Sequence, residues 1–446
     1  MDNWYNEACF YHFFTFGVCN APFYNSYTLN EYRINEVEKW IPHIKDMKCN
    51  SVLFSPIFES KSHGYDTSDY YKIDSRLGDN ESFKNLVNVM HQNNLKVVLD
   101  GVFNHCGRDF FAFQDLLKNK EKSKYCSWFS NLNFNNSNNL KDPFTYDTWA
   151  GYTELPKFNL ENAELKNYLF DAVKYWIAYF DIDGLRLDAA ECLDLKFIEE
   201  LRVFCEKEKF DFWLMGEIVN KDYRDVCDTN KLHSATNYEI FKGIYSSHNE
   251  QNLFEIAYSL DRQFNIDKGI YNYFSLYNFV DNHDQDRLAT LVNNCYYLYT
   301  IYILLFTIPG IPSIYYGSEW GIKGRKGINL DKEIRPYIDI NNITKVEENL
   351  ESVIKKVSTI RNKTLALKQG SYQEVSLEYH KPFIFKREIK NQIVYVIINP
   401  NENDYDININ TEIDTFYDEL NNEYYNKEDL KSLNVNKYWA RILVSK

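Results

Sequence analysis

The chain has 446 residues, and single hydrophobic cores stop growing at roughly 250–300 residues, so we expect at least two domains. Hydrophobic residues make up 44% of it and aromatic residues 17%, which excludes a disordered polymer. The formal net charge of −14 opposes binding to phosphate backbones, so no nucleic-acid partner is expected. The 36 Tyr and 31 Phe side chains either fill a core or stack on sugar rings.

Location is predicted from the cysteines and the apolar segments. The nine cysteines are scattered without a C-x-x-C pair, which is typical of reduced thiols. The N-terminus has no basic start or small-residue cleavage site, so we predict a cytoplasmic protein. The uncharged stretch Cys295–Tyr316 is long enough to span a bilayer, but Pro309, Gly310 and Pro312 divide it. We therefore predict a buried helix followed by a strand, and no membrane contact.

Eight short segments rich in β-forming residues alternate with helical patterns along most of the chain. This alternation predicts parallel strands joined by helices, and eight such units predict a closed (β/α)8 TIM barrel formed by residues 1–105 and 166–368. The predicted strands are Cys9–Phe16, Ser51–Ser55, Lys96–Phe103, Gly184–Asp188, Trp213–Ile218, Ser234–Tyr238, Asn278–Asn282 and Ile311–Tyr315.

Two further units are predicted around this barrel. Residues 106–165 follow the third strand and are too many for a structureless loop, so we expect an inserted subdomain there. From residue 369 to 446 the pattern changes to short alternating segments separated by polar turns, which indicates a C-terminal antiparallel β-sandwich domain.

Carboxylates and histidines follow four of the predicted strands, at the barrel end where catalytic residues of this fold lie. The segments are DGVFNH (Asp100–His105), GLRLDAAE (Gly184–Glu191), MGEI (Met215–Ile218) and FVDNHD (Phe279–Asp284).

Two of these segments carry candidate catalytic carboxyls. Arg186 and Asp188 are two residues apart on a strand, so both face the barrel interior. A guanidinium keeps a neighbouring carboxylate ionised, which suits a nucleophile; a structural ion pair is the alternative. Glu217 follows the apolar run FWLMG, where partial burial would raise its pKa and let it hold a proton as a general acid. The alternative is that Glu217 is the first residue of a helix and interacts with the helix dipole.

Histidines supply hydroxyl-binding groups at the same end. His283 and Asp284 are adjacent and could bind two neighbouring hydroxyls of a sugar, and His105 offers a further donor. Two carboxyls in unlike environments, with a third that binds hydroxyls, suit glycosidic cleavage through an oxocarbenium-like transition state.

The order and spacing of the four segments resemble those of the α-amylase family, glycoside hydrolase family 13. SHGYDTSDYYKID at Ser62–Asp74, LPKFN at Leu155–Asn159 and GIPSIYYGSEWG at Gly310–Gly321 also resemble that family, so the resemblance covers roughly residues 10–340.

The resemblance implies a role for each candidate residue. It implies that Asp188 is the nucleophile, Glu217 the acid/base and Asp284 the carboxylate that holds the 2- and 3-hydroxyls. It also implies a retaining mechanism, for which the carboxyls of Asp188 and Glu217 lie about 5–5.5 Å apart. The substrate-binding residues that it implies are Tyr65, His105, Arg186, His283 and Arg287.

The sequence also departs from the family pattern. Asn104 matches a calcium ligand of many members, but Lys157 and Cys192 stand where those members have an Asp and a His, so we predict no metal and no cofactor. Glu191 replaces a Lys that touches the acceptor sugar in many α-amylases. LPKFN is similar to the segment MPKLN of neopullulanases and cyclomaltodextrinases. Those enzymes usually dimerise through an extra N-terminal domain. We do not expect that domain here, which favours a monomer.

The sequence therefore predicts a retaining hydrolase that cleaves α-1,4 links of maltodextrins or cyclodextrins, with an α-glucan oligosaccharide as its partner. A 4-α-glucanotransferase with the same carboxylates is the first alternative. A catalytically inactive glucan-binding subunit is the second.

Overall fold

The computed structural model describes residues 3–446. Eight parallel strands form one sheet in the spatial order β6-β5-β4-β3-β2-β1-β8-β7, and a parallel bridge between Thr236 and Tyr277 joins its two edges. The predicted (β/α)8 TIM barrel is thereby confirmed. The strands are β1 (Phe10–Phe13), β2 (Ser51–Phe54), β3 (Lys96–Gly101), β4 (Gly184–Leu187), β5 (Trp213–Gly216), β6 (Ser234–Ala235), β7 (Tyr277–Asn278) and β8 (Ile311–Tyr315).

Most of these strands end earlier than predicted because the residues beyond their carboxyl ends turn away as loops. Asp188 and Glu217 are the first residues after β4 and β5. Their backbone N–H groups still bond to the neighbouring strands, at 3.0 Å from the carbonyl oxygens of Gly101 and Leu187 respectively. The barrel ladder therefore fixes the backbone of both residues at its rim.

Alternation along the strands separates an apolar floor from a charged rim. The floor is a cluster that includes Phe10 and Trp213, whose stacked rings lie 5.0 Å apart. One step higher, Asp100 on β3 pairs in register with Arg186 on β4. The charged groups thus share one layer above a packed core.

Helices cover the outside of the barrel and begin at side-chain caps in several places. Asp79, Asn162, Asp194 and Asn237 each accept a hydrogen bond from the first turn of the helix that follows. The α-helices are Thr15–Val18, Ile41–Asp46, Asn80–Gln92, Phe111–Asn119, Ala163–Tyr175, Leu195–Glu208, Tyr238–Asn249, Phe254–Phe264, Leu288–Leu291, Tyr297–Thr307, Leu350–Lys363 and Leu365–Gln369. The shorter turns are the 3-10 helices Trp4–Glu7, Arg33–Trp40, Lys120–Lys122, Cys126–Trp128, Ala190–Cys192, Tyr223–Asp225, Ser318–Trp320 and Asp429–Ser432, and the π-helix Trp176–Phe180.

The uncharged stretch near residue 300 forms the buried helix Tyr297–Thr307 followed by β8, as predicted. Within residues 3–446, no helix combines the length and the apolar character needed to cross a bilayer.

The connection after β3 is built from one helix, short turns and isolated bridges. Arg108 and Asp142 form a two-armed ion pair inside it, at 2.5 and 2.6 Å. An antiparallel bridge between His105 and Lys157 ties this segment to the end of β3. A hairpin of Phe58–Ser60 and Thr67–Ile73 follows β2.

The C-terminal part is antiparallel, as predicted. A six-stranded sheet has the order β9-β10-β11-β16-β13-β14, and a two-stranded sheet pairs β12 with β15. An apolar cluster that includes Ile397, Leu433 and Leu443 draws side chains from both sheets. The strands are β9 (Ser371–Ser376), β10 (Phe383–Ile389), β11 (Gln392–Asn399), β12 (Tyr405–Ile407), β13 (Thr415–Asp418), β14 (Glu423–Asn426), β15 (Leu433–Val435) and β16 (Trp439–Ser445).

Candidate active site

A single buried guanidinium holds three carboxylates together at the rim of the barrel. Arg186 Nη1 lies 2.6 and 2.8 Å from the two oxygens of Asp100 and 3.4 Å from Oδ1 of Asp188. Its Nη2 lies 2.7 Å from Oε1 of Glu217. The structure therefore brings Arg186, Asp188 and Glu217 together, and it adds Asp100 to them.

Glu217 is held from both sides of β5. Its Oε2 accepts a hydrogen bond from the backbone N–H of Ala189 at 3.1 Å, and Oε1 lies 3.5 Å from the Tyr238 hydroxyl. The side chain is 13% exposed, so it reaches solvent at the cleft.

Asp284 lies within a second charged group. Its Oδ2 is 2.9 Å from Nε2 of His283, and its Oδ1 is 2.9 Å from Nη2 of Arg335. Tyr65 stacks on His283 with 5.6 Å between ring centroids, and its hydroxyl contacts that histidine and Asp100. Tyr65 thus links the Asp284 group to the Arg186 group.

Burial and charge set the protonation states of these carboxyls. Burial raises the pKa of Asp188, the nearby Glu217 carboxyl raises it further, and Arg186 only partly opposes both. The sequence predicts that Arg186 keeps Asp188 ionised. In the structure, the shortest contacts of Arg186 are instead with Asp100 and Glu217. For Asp284, burial alone would raise the pKa, yet His283 and Arg335 outweigh burial and lower it well below its usual range.

A cavity of about 580 Å³ lies beside this group. Its lining includes Arg335 and three aromatic rings, Phe14, Phe16 and Phe23. Phe14 stacks on His283 at 6.0 Å, so one ring of the lining contacts the Asp284 group. A larger cavity of about 960 Å³, lined by residues that include Trp213 of the barrel floor, contains none of the predicted site residues.

His105 is 1% exposed. Its Nε2 contacts the carbonyl oxygen of Tyr65 at 3.1 Å. The Trp149 ring lies 5.7 Å from the imidazole, and Tyr152, which is 57% exposed, stacks on Trp149. An aromatic edge from the inserted segment therefore borders the site at His105.

Arg287 differs from the prediction that it binds substrate. It is 0% exposed and donates to the carbonyl oxygens of Tyr316 and Ile334 and to the Ser318 hydroxyl. Its guanidinium is therefore occupied inside the protein. Arg335, which the sequence did not single out, makes the contact with Asp284 instead.

The residues at the position of the usual family calcium site do not form an oxygen cage. Asn104 is buried, and its Oδ1 has no partner among the residues described. Lys157 brings a positive charge, and Cys192 is an exposed thiol. In residues 3–446 no three or more His, Cys, Asp or Glu side chains are grouped to hold a metal ion.

Residues 22–368, more than half of the chain, match the family model described as the alpha amylase catalytic domain. The chain belongs to the α-amylase family. It is similar to a cyclomaltodextrinase of Thermoanaerobacter pseudethanolicus, with 33% identity over 364 residues that cover 80% of this chain and 62% of that protein. It is also similar to an intracellular maltogenic amylase of Bacillus subtilis, with 33% identity over 290 residues that cover 64% of this chain and 48% of that protein.

A solved structure of a cyclomaltodextrinase superimposes on this α-amylase family chain with a TM-score of 0.86 and 26% identity. The match covers 99% of this chain and 78% of that one. The chain spans less than two thirds of the length of the first relatives that it matches, between 60 and 64% of three cyclomaltodextrinases.

Proposed function

We propose that the protein is a retaining glycoside hydrolase that cleaves α-1,4 bonds of maltodextrins or cyclodextrins. The observation that carries this proposal is the pair of carboxyls, Asp188 and Glu217, on neighbouring strand ends and joined by Arg186. Membership of the α-amylase family supports it. The relatives named cyclomaltodextrinase support the choice of short or cyclic α-glucans, as does the LPKFN segment.

In the proposed reaction Asp188 attacks the anomeric carbon and Glu217 protonates the departing oxygen, which gives a covalent glycosyl-enzyme. Glu217 then removes a proton from water, which releases the sugar with its original anomeric configuration. Asp284 stays ionised and accepts hydrogen bonds from two sugar hydroxyls. The lowered pKa of Asp284 suits that role, because an ionised carboxylate is a pure acceptor.

The first step needs one proton on the Asp188–Glu217 pair, on the carboxyl that acts as acid. Burial and the neighbouring Glu217 carboxylate raise the pKa of Asp188, so Asp188 keeps a proton to higher pH than an isolated Asp does. Arg186 contacts both carboxyls, so its positive charge favours the ionised form of either one. Arg186 therefore acts by stabilising whichever carboxyl is ionised.

The remaining binding groups surround the same position. We assign Tyr65 to stacking on the reacting sugar and His283 to hydrogen bonding with it. His105 is assigned to the same sugar, and its buried position requires that the ring contact substrate by its edge. Arg335 takes the place that the sequence assigned to Arg287.

We also propose that the enzyme needs no calcium at the usual family position. An ammonium group repels a cation, and Asn104 alone offers one amide oxygen where a calcium ion takes 6–8 oxygen ligands. Dialysis against EDTA should leave the activity and the melting temperature unchanged. A loss that added Ca²⁺ restores would contradict this proposal.

We further propose a monomeric enzyme that acts in the cytoplasm. The support for a monomer is that Arg186 and Arg335 of the same chain already supply cationic partners to the predicted catalytic carboxyls. The printed name of the Bacillus subtilis relative includes the word intracellular, which supports the location. Light scattering after size exclusion tests the monomer, and a stable dimer would contradict it.

Product analysis tests the activity itself. Purified protein is incubated with maltoheptaose and separately with β-cyclodextrin, and the products are separated over time. Products shorter than maltoheptaose are expected, together with ring opening of the cyclodextrin. Products longer than maltoheptaose would instead indicate a glucanotransferase, and no turnover of either sugar would indicate an inactive glucan-binding subunit or another substrate. Asp188→Asn is the control and should abolish turnover.

A further inference from the structure

The loop after β5 carries Glu217 and is tied to the turn after β4 by the side chain of Glu191. Oε2 of Glu191 accepts hydrogen bonds from two successive backbone N–H groups, those of Val219 at 3.0 Å and Asn220 at 2.9 Å. The Lys221 ammonium group donates to the carbonyl oxygen of Glu191 at 2.6 Å. Three successive residues of the loop are thus bonded to one residue of the neighbouring turn.

The same turn also contacts Glu217 directly. The Ala189 N–H donates to Oε2 of Glu217, and Ala189 has φ = 45°, a left-handed conformation that is costly for a residue with a side chain. On the far side, Thr236 Oγ1 accepts from the Ile218 N–H at 3.0 Å. The backbone around Glu217 is therefore held from both neighbouring strands.

The loop has little else to fix it. Ile218 is fully buried, but Val219 is 45% exposed and Asn220 is exposed. An exposed segment with few apolar contacts opens easily. Charge-assisted bonds from a carboxylate to backbone N–H groups are stronger than neutral ones, so Glu191 supplies the main restraint on this side.

We infer that Glu191 is a positioning residue for Glu217, acting through the loop backbone rather than by touching the sugar. This inference rests on the proposed role of Glu217 as the acid/base. The inference also assigns a role to Glu191, which stands where many α-amylases carry a Lys. Oε2 of Glu191 is bonded to the loop backbone rather than left free for a sugar.

The experiment separates positioning of the acid from a general loss of structure by changing the leaving group. Fluoride departs without protonation, so the first step of α-maltosyl fluoride cleavage, which forms the glycosyl-enzyme, does not need the acid, whereas the same step of maltoheptaose cleavage does. The second step needs Glu217 as the base for both sugars, so the first step is measured by itself, as fluoride release in a single turnover with enzyme in excess. Glu191→Ala removes both backbone bonds. Glu191→Gln is the matched control, because a single amide oxygen can accept both N–H groups as Oε2 does.

We expect Glu191→Ala to lower kcat for maltoheptaose about 10- to 100-fold with little change in KM, since small misplacements of catalytic groups have effects of that size. Its single-turnover rate of fluoride release from α-maltosyl fluoride should stay within about twofold of wild type, and Glu191→Gln should stay within about threefold on both substrates. An equal loss on both substrates, or no loss on maltoheptaose, would overturn the inference. If Glu191→Ala does not fold, the shorter Glu191→Asp is compared in the same way.

A parallel variant keeps the two proposals distinguishable. Glu217→Ala should also lose maltoheptaose cleavage while retaining single-turnover fluoride release from α-maltosyl fluoride, after which the glycosyl-enzyme accumulates because the base of the second step is missing. If Glu217→Ala loses both activities equally, the acid role of Glu217 is wrong. If Glu217→Ala shows the selective loss and Glu191→Ala does not, only the positioning role of Glu191 is wrong.

Discussion

Two aspartates at opposite ends of β4 should respond to the same substitution with opposite signs. Asp183 precedes the strand and Asp188 follows it, and both are buried. Asp183 bonds to His91 at 2.8 Å, to Lys96 at 2.9 Å and to the Val97 N–H at 2.9 Å. Asp188 instead lies among other carboxyls. Changing each to Asn removes one charge and leaves the shape nearly unchanged.

The pKa shifts set the sign and the pH range of each effect. Burial and Glu217 raise the pKa of Asp188, so its ionisation costs stability, and that cost grows as pH rises above the unfolded value of about 3.9. Burial also opposes ionisation of Asp183, but His91 and Lys209 outweigh it and lower its pKa. The stability from Asp183 is therefore present above about pH 4 and is lost as pH falls through the lowered pKa.

Asp188→Asn should thus stabilise the protein at neutral pH by about 1–2 kcal/mol, within the usual range of a stabilising single substitution. Asp183→Asn should destabilise it by about 2–3 kcal/mol, after allowance for the partial exposure of its lysine partners. For 446 residues the unfolding entropy is roughly 0.9 kcal/mol/K, so 1 kcal/mol shifts Tm by about 1 °C.

Differential scanning calorimetry of wild type and both variants at pH 5 and pH 8 measures these shifts. Asp188→Asn should raise Tm by about 1–2 °C at pH 8 and by less at pH 5, and Asp183→Asn should lower it by about 2–3 °C at pH 8. Loss of activity should accompany only the first variant. A fall in Tm on Asp188→Asn as large as that on Asp183→Asn would refute the conclusion that the Asp188 charge costs stability at the rim.

Three further substitutions test the groups around the pair. Arg335→Ala should raise the pKa of Asp284, which a ¹³C-NMR titration of the aspartate carboxyl carbons measures against wild type; an unchanged titration of Asp284 would contradict the pairing. Trp149→Ala should raise KM for maltoheptaose about 3- to 10-fold with kcat unchanged, whereas Trp149→Phe, which keeps an aromatic ring, should leave KM near the wild-type value. A KM of Trp149→Ala equal to that of wild type would exclude the ring at this position from substrate binding. Arg287→Met should lower Tm by about 2–3 °C in calorimetry without raising KM, because its guanidinium bonds to buried carbonyls; a raised KM in a stable variant would restore its predicted substrate role.

The barrel could be predicted from sequence because its strands are short apolar runs separated by helical patterns of regular spacing. Seven of the eight segments were predicted too long. The reason is visible at Asp188 and Glu217, which follow the strand pattern in sequence but lie just beyond the last residue of the ladder. At this end of the barrel, strand residues and site residues are consecutive, so composition alone does not separate them.

The main candidate carboxyls could be predicted because each follows its own strand. Contacts between strands could not be predicted in that way. Asp100 was visible in its segment, but its bond to Arg186 depends on the register of β3 against β4. Arg335 comes from a stretch between β8 and the helix Leu350–Lys363 that has no periodic pattern to place it.

Arg287 shows how short spacing misleads. It lies three residues after Asp284, which favours a shared site. The chain turns between the two residues, however, and Arg287 is the N-cap residue directly before the helix Leu288–Leu291. Its backbone N–H bonds to the Gly324 carbonyl oxygen, and its side chain points into the protein. Sequence separation fixes how far apart two residues can be and leaves the direction of each side chain open.

The central proposal is a covalent glycosyl-enzyme on Asp188, and trapping it is the most direct test. The Glu217→Ala variant is mixed with α-maltosyl fluoride, quenched with acid and digested, and the peptides are analysed by mass spectrometry. Glycosyl transfer to Asp188 predicts a peptide containing that residue with the added mass of one maltosyl group. The same mass on another residue, or a product released in the β configuration without any adduct, would contradict it.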